Sequence, residues 1–220
     1  QVDALHSKTI STAAKITETK VLEWADKLTT DSKIVKKVYK EKSNVDFEFF
    51  YAPLDIKKFE NLKNIQKKEK QVIFIGRNSH EKGIDIIKEI ETKINAKMVY
   101  CTNTKWEDAM EELKASSILI VPSRMESIPQ VIKEAFYLKI PVIATNVGGI
   151  PELIINNKTG ILVPPNNPEI LLKNINELLT DKKTATELSD AGYDFVMKNL
   201  TWEVLLPKYI KFYEELINSK

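Results

Sequence analysis

The chain has 220 residues, 43% of them hydrophobic, and its 33 Lys and Arg nearly balance its 31 Asp and Glu. That is enough for one large domain or one and a half smaller ones, and the neutral balance leaves no footprint for nucleic acid. A lone cysteine, Cys101, excludes an internal disulfide, and no apolar run approaches the roughly 18 residues of a membrane span.

Residues 10–22 read as a helix ending near Trp24 to Asp26, and Lys27 to Asp31 as a short strand. Lys33 to Lys42 is an amphipathic helix that pairs Ile34, Val35 and Val38 with Lys33, Lys36, Lys37 and Lys40. Such a basic face suits solvent, or else an anionic lipid surface. Phe47 to Tyr51 is an aromatic strand stopped at Ala52-Pro53, and the Lys-, Asn- and Glu-rich run from Lys57 to Lys70 marks a linker or boundary.

A second region then alternates strand and helix patterns. Val72 to Ile75 is a strand with Gly76-Arg77 at its carboxyl end, and Lys82-Gly83 precedes a helix with Ile84, Ile87, Ile90 and Ile94 on one face. Lys97 to Cys101 is the next strand, Trp106 to Ala115 the next helix, and Ile118 to Val121 a short apolar strand. Pro129 suits the first turn of a helix carrying Val131, Ile132, Ala135, Phe136 and Leu138. Pro141 to Ala144 is a further buried strand, and Gly148-Gly149 a turn whose backbone can approach a ligand closely. Asn156 to Gly160 is a turn, Ile161 to Val163 a strand, and Pro168 to Leu179 a helix. Asp181 to Asn199 reads as a helix interrupted near Gly192, and Thr201 can cap a terminal helix in which Pro207 predicts a kink or a broken first turn. The tryptophans read as core or domain-contact anchors. The alternation predicts an α/β fold with a Rossmann-like, doubly wound parallel sheet.

In such sheets ligands sit outside the carboxyl ends of the strands, over the N-termini of the following helices. Free N–H groups around Ile128 to Gln130 would therefore face a diphosphate. Glu126 and Glu134 flank that place, and ionised carboxylates accept strong hydrogen bonds from sugar hydroxyls. Taken alone, each reads more readily as a solvated acid. Arg77 and Lys82 share one strand–helix loop, where two cations can close on a diphosphate, or can simply be surface charges. His6 and His80 lack ligand-spaced companions, so no metal is expected. The dinucleotide and P-loop fingerprints are missing, and no Ser-His-Asp set can be assembled.

The order G-R-N-S-H-E-K-G (76–83), V-P-S-R-M-E-S-I-P-Q-V-I-K-E-A (121–135), P-V-I-A-T-N-V-G-G-I-P-E-L-I (141–154) and T-G-I-L-V-P-P (159–165) resembles the family-four retaining glycosyltransferases. These pair two Rossmann-like domains in the GT-B architecture. The resemblance runs from about Val72 to the C-terminus, with a shorter match at residues 25–32. Glu126 and Glu134 match the family's two acids, implying that Glu134 binds the nucleotide ribose and Glu126 the donor sugar. Gly76 and the backbone of Ser127, Ile128, Pro129 and Gln130 would contact sugar and phosphate. Arg77 and Lys82 match the diphosphate-binding pair, and with Glu126 they make the implied catalytic set.

The resemblance implies a nucleoside-diphosphate sugar as donor, no cofactor beyond it, and an acceptor that is a glycan, a lipid or a small molecule. It divides the chain into a remnant of a first domain (1–55), a linker (56–70), a donor-binding domain (71–200) and a terminal helix (201–220) resembling the element that crosses back to the first domain. A chain opening on Gln1 then reads as a fragment of something longer. Its expected setting is cytoplasmic, or the cytoplasmic face of a membrane touched by the missing domain. Three departures stand out: Ser127 replaces a common Gly, Ala52-Pro53-Leu54 replaces Asn-Gly-Val, and one β–α unit is missing between Gly83 and Val121. A GT-B epimerase or hydrolase, and a non-catalytic sugar-nucleotide-binding module, stay open as alternatives.

Overall fold

The computed structural model describes residues 20, 22, 24–63, 65–68 and 70–218. The helix expected over residues 10–22 falls outside these, apart from Lys20 and Leu22, which are helical. The chain divides into two compact units, one running from Pro53 to Leu205 and the other holding the residues on either side of it.

In the smaller unit, β1 (Thr29–Thr30) pairs in parallel with β2 (Glu48–Phe49), and α1 (Lys33–Ser43) lies between them in sequence. Ser32 starts α1 by accepting the Val35 N–H, and Tyr39 packs its ring on Phe47 at 5.0 Å.

The larger unit holds β3 (Gln71–Ile75), α2 (Ile84–Ile90), β4 (Lys97–Cys101), α3 (Trp106–Ala115), β5 (Ile118–Val121), α4 (Gln130–Tyr137), β6 (Val142–Thr145), α5 (Ile150–Leu153) and β7 (Ile161–Val163). Then follow α6 (Pro168–Thr180), α7 (Lys182–Asn199) and α8 (Trp202–Asn218). The five strands form one parallel sheet in the order β4-β3-β5-β6-β7.

The inner strands are mostly apolar runs, as strands with helices on both faces need to be. Val72, Phe74, Ile118, Ile120, Ile143 and Val163 join Ile84, Ile87 and Ile90 of α2 and Leu171 and Ile175 of α6 in one core. Their neighbours Ile73, Leu119, Val142 and Ala144 point to the opposite face by the two-residue period and are just as buried. There α3 packs on β3 and α4 on β6. This is the doubly wound sheet expected from the sequence.

Counted within this unit the strand order is 2-1-3-4-5, one strand short of the six-stranded 3-2-1-4-5-6 arrangement. The order reverses between β3 and β5, so the crevice where ligands bind such sheets opens at the carboxyl ends of those two strands.

Several local expectations are corrected. Helix α7 runs unbroken through Gly192, where a Cβ would stand 2.6 Å from Cδ1 of Phe136. Gly192 permits a close crossing of α7 over α4 and is no interruption. Pro129 precedes α4 as its N-cap and is not inside the first turn. Helix α8 passes Pro207 without a break, and from Leu206 onwards it belongs to the smaller unit, where Phe50 packs on Tyr209 and Phe212. The expected linker falls within the larger unit, where Phe59 is buried and the Lys68 N–H donates to the Ala115 carbonyl at 2.8 Å. Trp24 and Trp202 are exposed, so neither is a core anchor. No helix among the described residues is long and apolar enough to cross a membrane.

Candidate functional site

The switch point between β3 and β5 is built by glycines that let three turns meet. Gly83 ends the 3-10 turn His80–Lys82 with φ +70°, and a Cβ there would overlap the Pro122 carbonyl. The turn after β3 therefore seats directly against the end of β5, which carries Lys82 to Glu126. Gly148 has φ +51°, and a Cβ on it would overlap the Glu126 carbonyl oxygen, while one on Gly149 would overlap that of Ser127. The Gly149 N–H also donates to the Glu126 carbonyl at 3.3 Å. The Gly-Gly turn, expected to face a ligand, faces the Glu126–Ser127 backbone and clamps it. Thr145 at the end of β6 completes the seat, its hydroxyl donating to the Ser123 carbonyl at 2.5 Å.

Held in this way, Glu126 Oε1 accepts from Lys82 Nζ at 2.5 Å and from Ser123 Oγ at 2.8 Å. The Glu126 side chain is 9% exposed and that of Lys82 24%, so the pair is sheltered but open on one side. An ammonium has three donors, so two remain on Lys82 for anionic oxygens. Arg77 and Asn78 are exposed on the same turn, Gly76 sits at the end of β3, and the Gly76 N–H donates to the Cys101 carbonyl at 3.2 Å. Arg77 acts electrostatically on Glu81. Ser127 and Gln130 are exposed, whereas Ile128 and Pro129 are buried and anchor the turn into α4. Proline has no N–H, so Pro129 can offer none at this helix start.

Arg124 braces these turns, a role the sequence did not disclose. Its guanidinium forks onto both Asp85 oxygens at 2.7 Å, donates to the His80 carbonyl at 2.6 Å and to Asn166 Oδ1 at 2.6 Å. Its own N–H meets the Glu81 carbonyl at 2.7 Å. With its donors committed in this way, Arg124 fixes loops rather than waiting for a phosphate. The fork holds the Asp85 carboxyl far down, at about 2.

Glu134 lives in another setting. It lies within α4, where burial pushes its carboxyl up, while the Trp106 N–H and the charges of Lys133 and Lys58 pull it back. Trp106 Nε1 donates to Glu134 Oε1 at 2.8 Å. Lys133, next in sequence, is fully buried inside the apolar stripe of α4, where the residue pattern predicted only hydrophobic neighbours. Lys82 and Glu126 thus meet at the switch point, Arg77 lies exposed on the turn that carries Lys82, and Glu134 stands in α4, the helix that follows Glu126. No group of three or more His, Cys, Asp or Glu among the described residues could hold a metal ion.

Comparisons with known proteins fit this frame. Residues 86–195, half of the chain, match the family described as glycosyl transferases group 1. An uncharacterised glycosyltransferase of Methanocaldococcus jannaschii is 35% identical over 111 residues, which cover 50% of this chain and 31% of that protein. The sucrose-phosphate synthase of Thermosynechococcus elongatus has the same fold, with TM-score 0.83 and 21% identity over 97% of this chain and 64% of that one. HepE of Anabaena, solved in complex with UDP and glucose, gives TM-score 0.74 and 15% identity over 91% of this chain and 66% of that one. The chain therefore spans between 31% and 66% of the length of these three proteins. Its α/β architecture is that of the GT-B glycosyltransferases, and by the match over half its length the chain belongs to the group 1 glycosyl transferases.

Proposed function

We propose that this chain binds a nucleoside-diphosphate sugar at the β3–β5 switch point and is the donor-binding part of a retaining glycosyltransferase. The Lys82–Glu126 pair is the observation that carries the reading, because it sets a cation and a carboxylate together where an α/β sheet receives its ligand. The two remaining Lys82 donors and the exposed Arg77 guanidinium face a diphosphate, and the Glu126 oxygen not held by Lys82 and Ser123 accepts a sugar hydroxyl. Glu134 takes the ribose hydroxyls. That HepE is solved with UDP makes a uridine donor the first to test.

In the transfer, the bond between the anomeric carbon and the diphosphate oxygen breaks and negative charge grows on the leaving group. Arg77 and Lys82 stabilise that charge. The acceptor hydroxyl enters on the face the diphosphate leaves, so configuration is retained, and its proton passes to a departing phosphate oxygen. Glu126, committed to Lys82 and Ser123, is a poor nucleophile, which sets this site apart from the carboxylate pair of retaining glycosidases. The acceptor groups belong to sequence beyond this chain, and fast transfer needs both partners positioned.

Calorimetric titration with UDP-, GDP- and ADP-sugars tests the proposal. One nucleotide is expected to bind clearly better than the others, and Arg77→Ala to weaken it at least tenfold. A folded chain that binds none of the three would refute the donor reading.

A further inference from the structure

Trp106 is the first residue of α3, directly after the loop that leaves the carboxyl end of β4, and the sequence gives no sign that it serves a carboxylate 28 residues away. Its ring is fixed from the side: Phe59 meets it edge-on at 5.1 Å and packs in turn on Tyr137 at 4.7 Å. Phe59 is itself only 8% exposed, so the indole plane, and with it the direction of the N–H, is set by the core.

An indole nitrogen can only donate. A hydroxyl in its place could turn round and accept from a protonated carboxyl, whereas the indole can only donate and so binds the ionised form more strongly. The bond takes Oε1 of Glu134, and among the described residues nothing takes Oε2. The remaining charges acting on Glu134 are Lys133 on its own helix and Lys58 in the 3-10 turn Ile56–Phe59, both favouring the ionised form against the cost of burial.

We propose that Trp106 is a positioning residue of the donor site: its N–H turns the Glu134 carboxylate and keeps it an acceptor, leaving Oε2 for a hydroxyl of the bound nucleotide sugar. The assignment rests on the donor reading given above. It extends that reading to a residue which touches no ligand and makes Glu134 binding dependent on pH through α3.

The test is Trp106→Phe, which keeps a ring and removes the N–H. A second variant places benzothienylalanine at position 106, an isosteric ring with sulfur in place of N–H, so that a packing defect cannot imitate the effect. In the free chain, the Glu134 side-chain carboxyl is followed by carbon-13 NMR and identified by its loss in Glu134→Gln. Its titration midpoint is expected to rise by about one pH unit in both variants. Calorimetry with UDP-, GDP- and ADP-sugars between pH 5 and 8 is expected to show the best donor binding about tenfold more weakly, the deficit growing as pH falls.

An unmoved carboxyl midpoint would overturn the hydrogen-bond role. A raised midpoint with donor affinity and pH profile like the parent's would overturn the positioning role and leave Trp106 a packing residue. If the parent chain binds none of the three donors, the donor reading itself fails and takes this assignment with it. The carboxyl titration, read without ligand, tells that case apart.

Discussion

Glu126 and Glu134 belong to one strand–turn–helix unit, yet the structure surrounds them in opposite ways. The turn holding Glu126 is a polar knot: Lys82 and Ser123 on one oxygen, two glycines on the backbone, and Arg124 tying the neighbouring loops. Glu134 sits on a helix whose other inward residues are Ile132, Lys133, Ala135 and Phe136, and one N–H from a distant helix meets it. The contrast shows how two identical side chains are set for different work. The first is a paired carboxylate whose position is enforced, and the second is a carboxyl that burial pushes up and a single N–H pulls back.

Breaking the polar knot should have the largest effect. Lys82→Ala leaves the sheltered Glu126 carboxylate with only Ser123, a loss of about 3 kcal/mol, and donor affinity should fall about a hundredfold. Thermal unfolding and calorimetry read the two effects. The double variant Lys82→Met with Glu126→Gln should regain the stability without regaining the binding, which separates the pair's structural role from its chemical one.

Gly148→Ala comes next. Its positive φ and the overlap with the Glu126 carbonyl oblige the turn to move, at about 1–3 kcal/mol in stability. Affinity should drop about tenfold or more, although no ligand-facing side chain has changed. Equal affinity in this variant would show that the clamp does not set the site.

Glu134→Gln sharpens the comparison from the other side. Glutamine can still accept from Trp106 but carries no buried charge, so stability should hold or rise while donor affinity falls about tenfold. The sign follows from the raised carboxyl. Its charging penalty on folding is constant above the raised value, shrinks as pH falls towards the ordinary 4.5, and is absent below. Denaturation from pH 8 to 4 should therefore show a steeper gain on acidification in the parent chain than in Glu134→Gln.

The smallest effect belongs to the brace. Asp85 is half exposed, so Asp85→Asn should cost no more than about 1 kcal/mol and weaken donor binding only a few-fold. Because the Asp85 carboxyl is lowered to about 2, its contribution is complete above the ordinary 3.8 and is lost as pH falls through about 2. No change from this source is expected across neutral pH.

These unequal environments also explain what could be read from the residues alone. The apolar runs at Ile118 to Val121 and Lys97 to Cys101, and the helix from Trp106 to Ala115, are local patterns, and the structure bounds them at the same residues. The parallel α/β sheet followed from their alternation. Contacts between distant segments were not legible. Gly192 looked like a helix break because nothing near it in sequence reveals Phe136 of another helix. Nothing near Arg124 in sequence reveals Asp85 or Asn166, the partners of its guanidinium. Lys133 broke the apolar stripe of α4 in a way periodicity cannot reward, and the tie between Trp106 and Glu134 joins helices with β5 between them in sequence. The resemblance names Lys82 and Glu126 as members of one site, but the ion pair between them was not among its implications.

The most direct measurement is a crystal structure of this chain with its best-binding nucleotide sugar. Lys82 Nζ is expected within about 3.2 Å of a diphosphate oxygen while still holding Glu126, with Glu134 Oε2 at a similar distance from a ribose hydroxyl. A nucleotide seated away from the β3–β5 switch point, or a ribose out of reach of Glu134, would contradict the division of labour between the two acids.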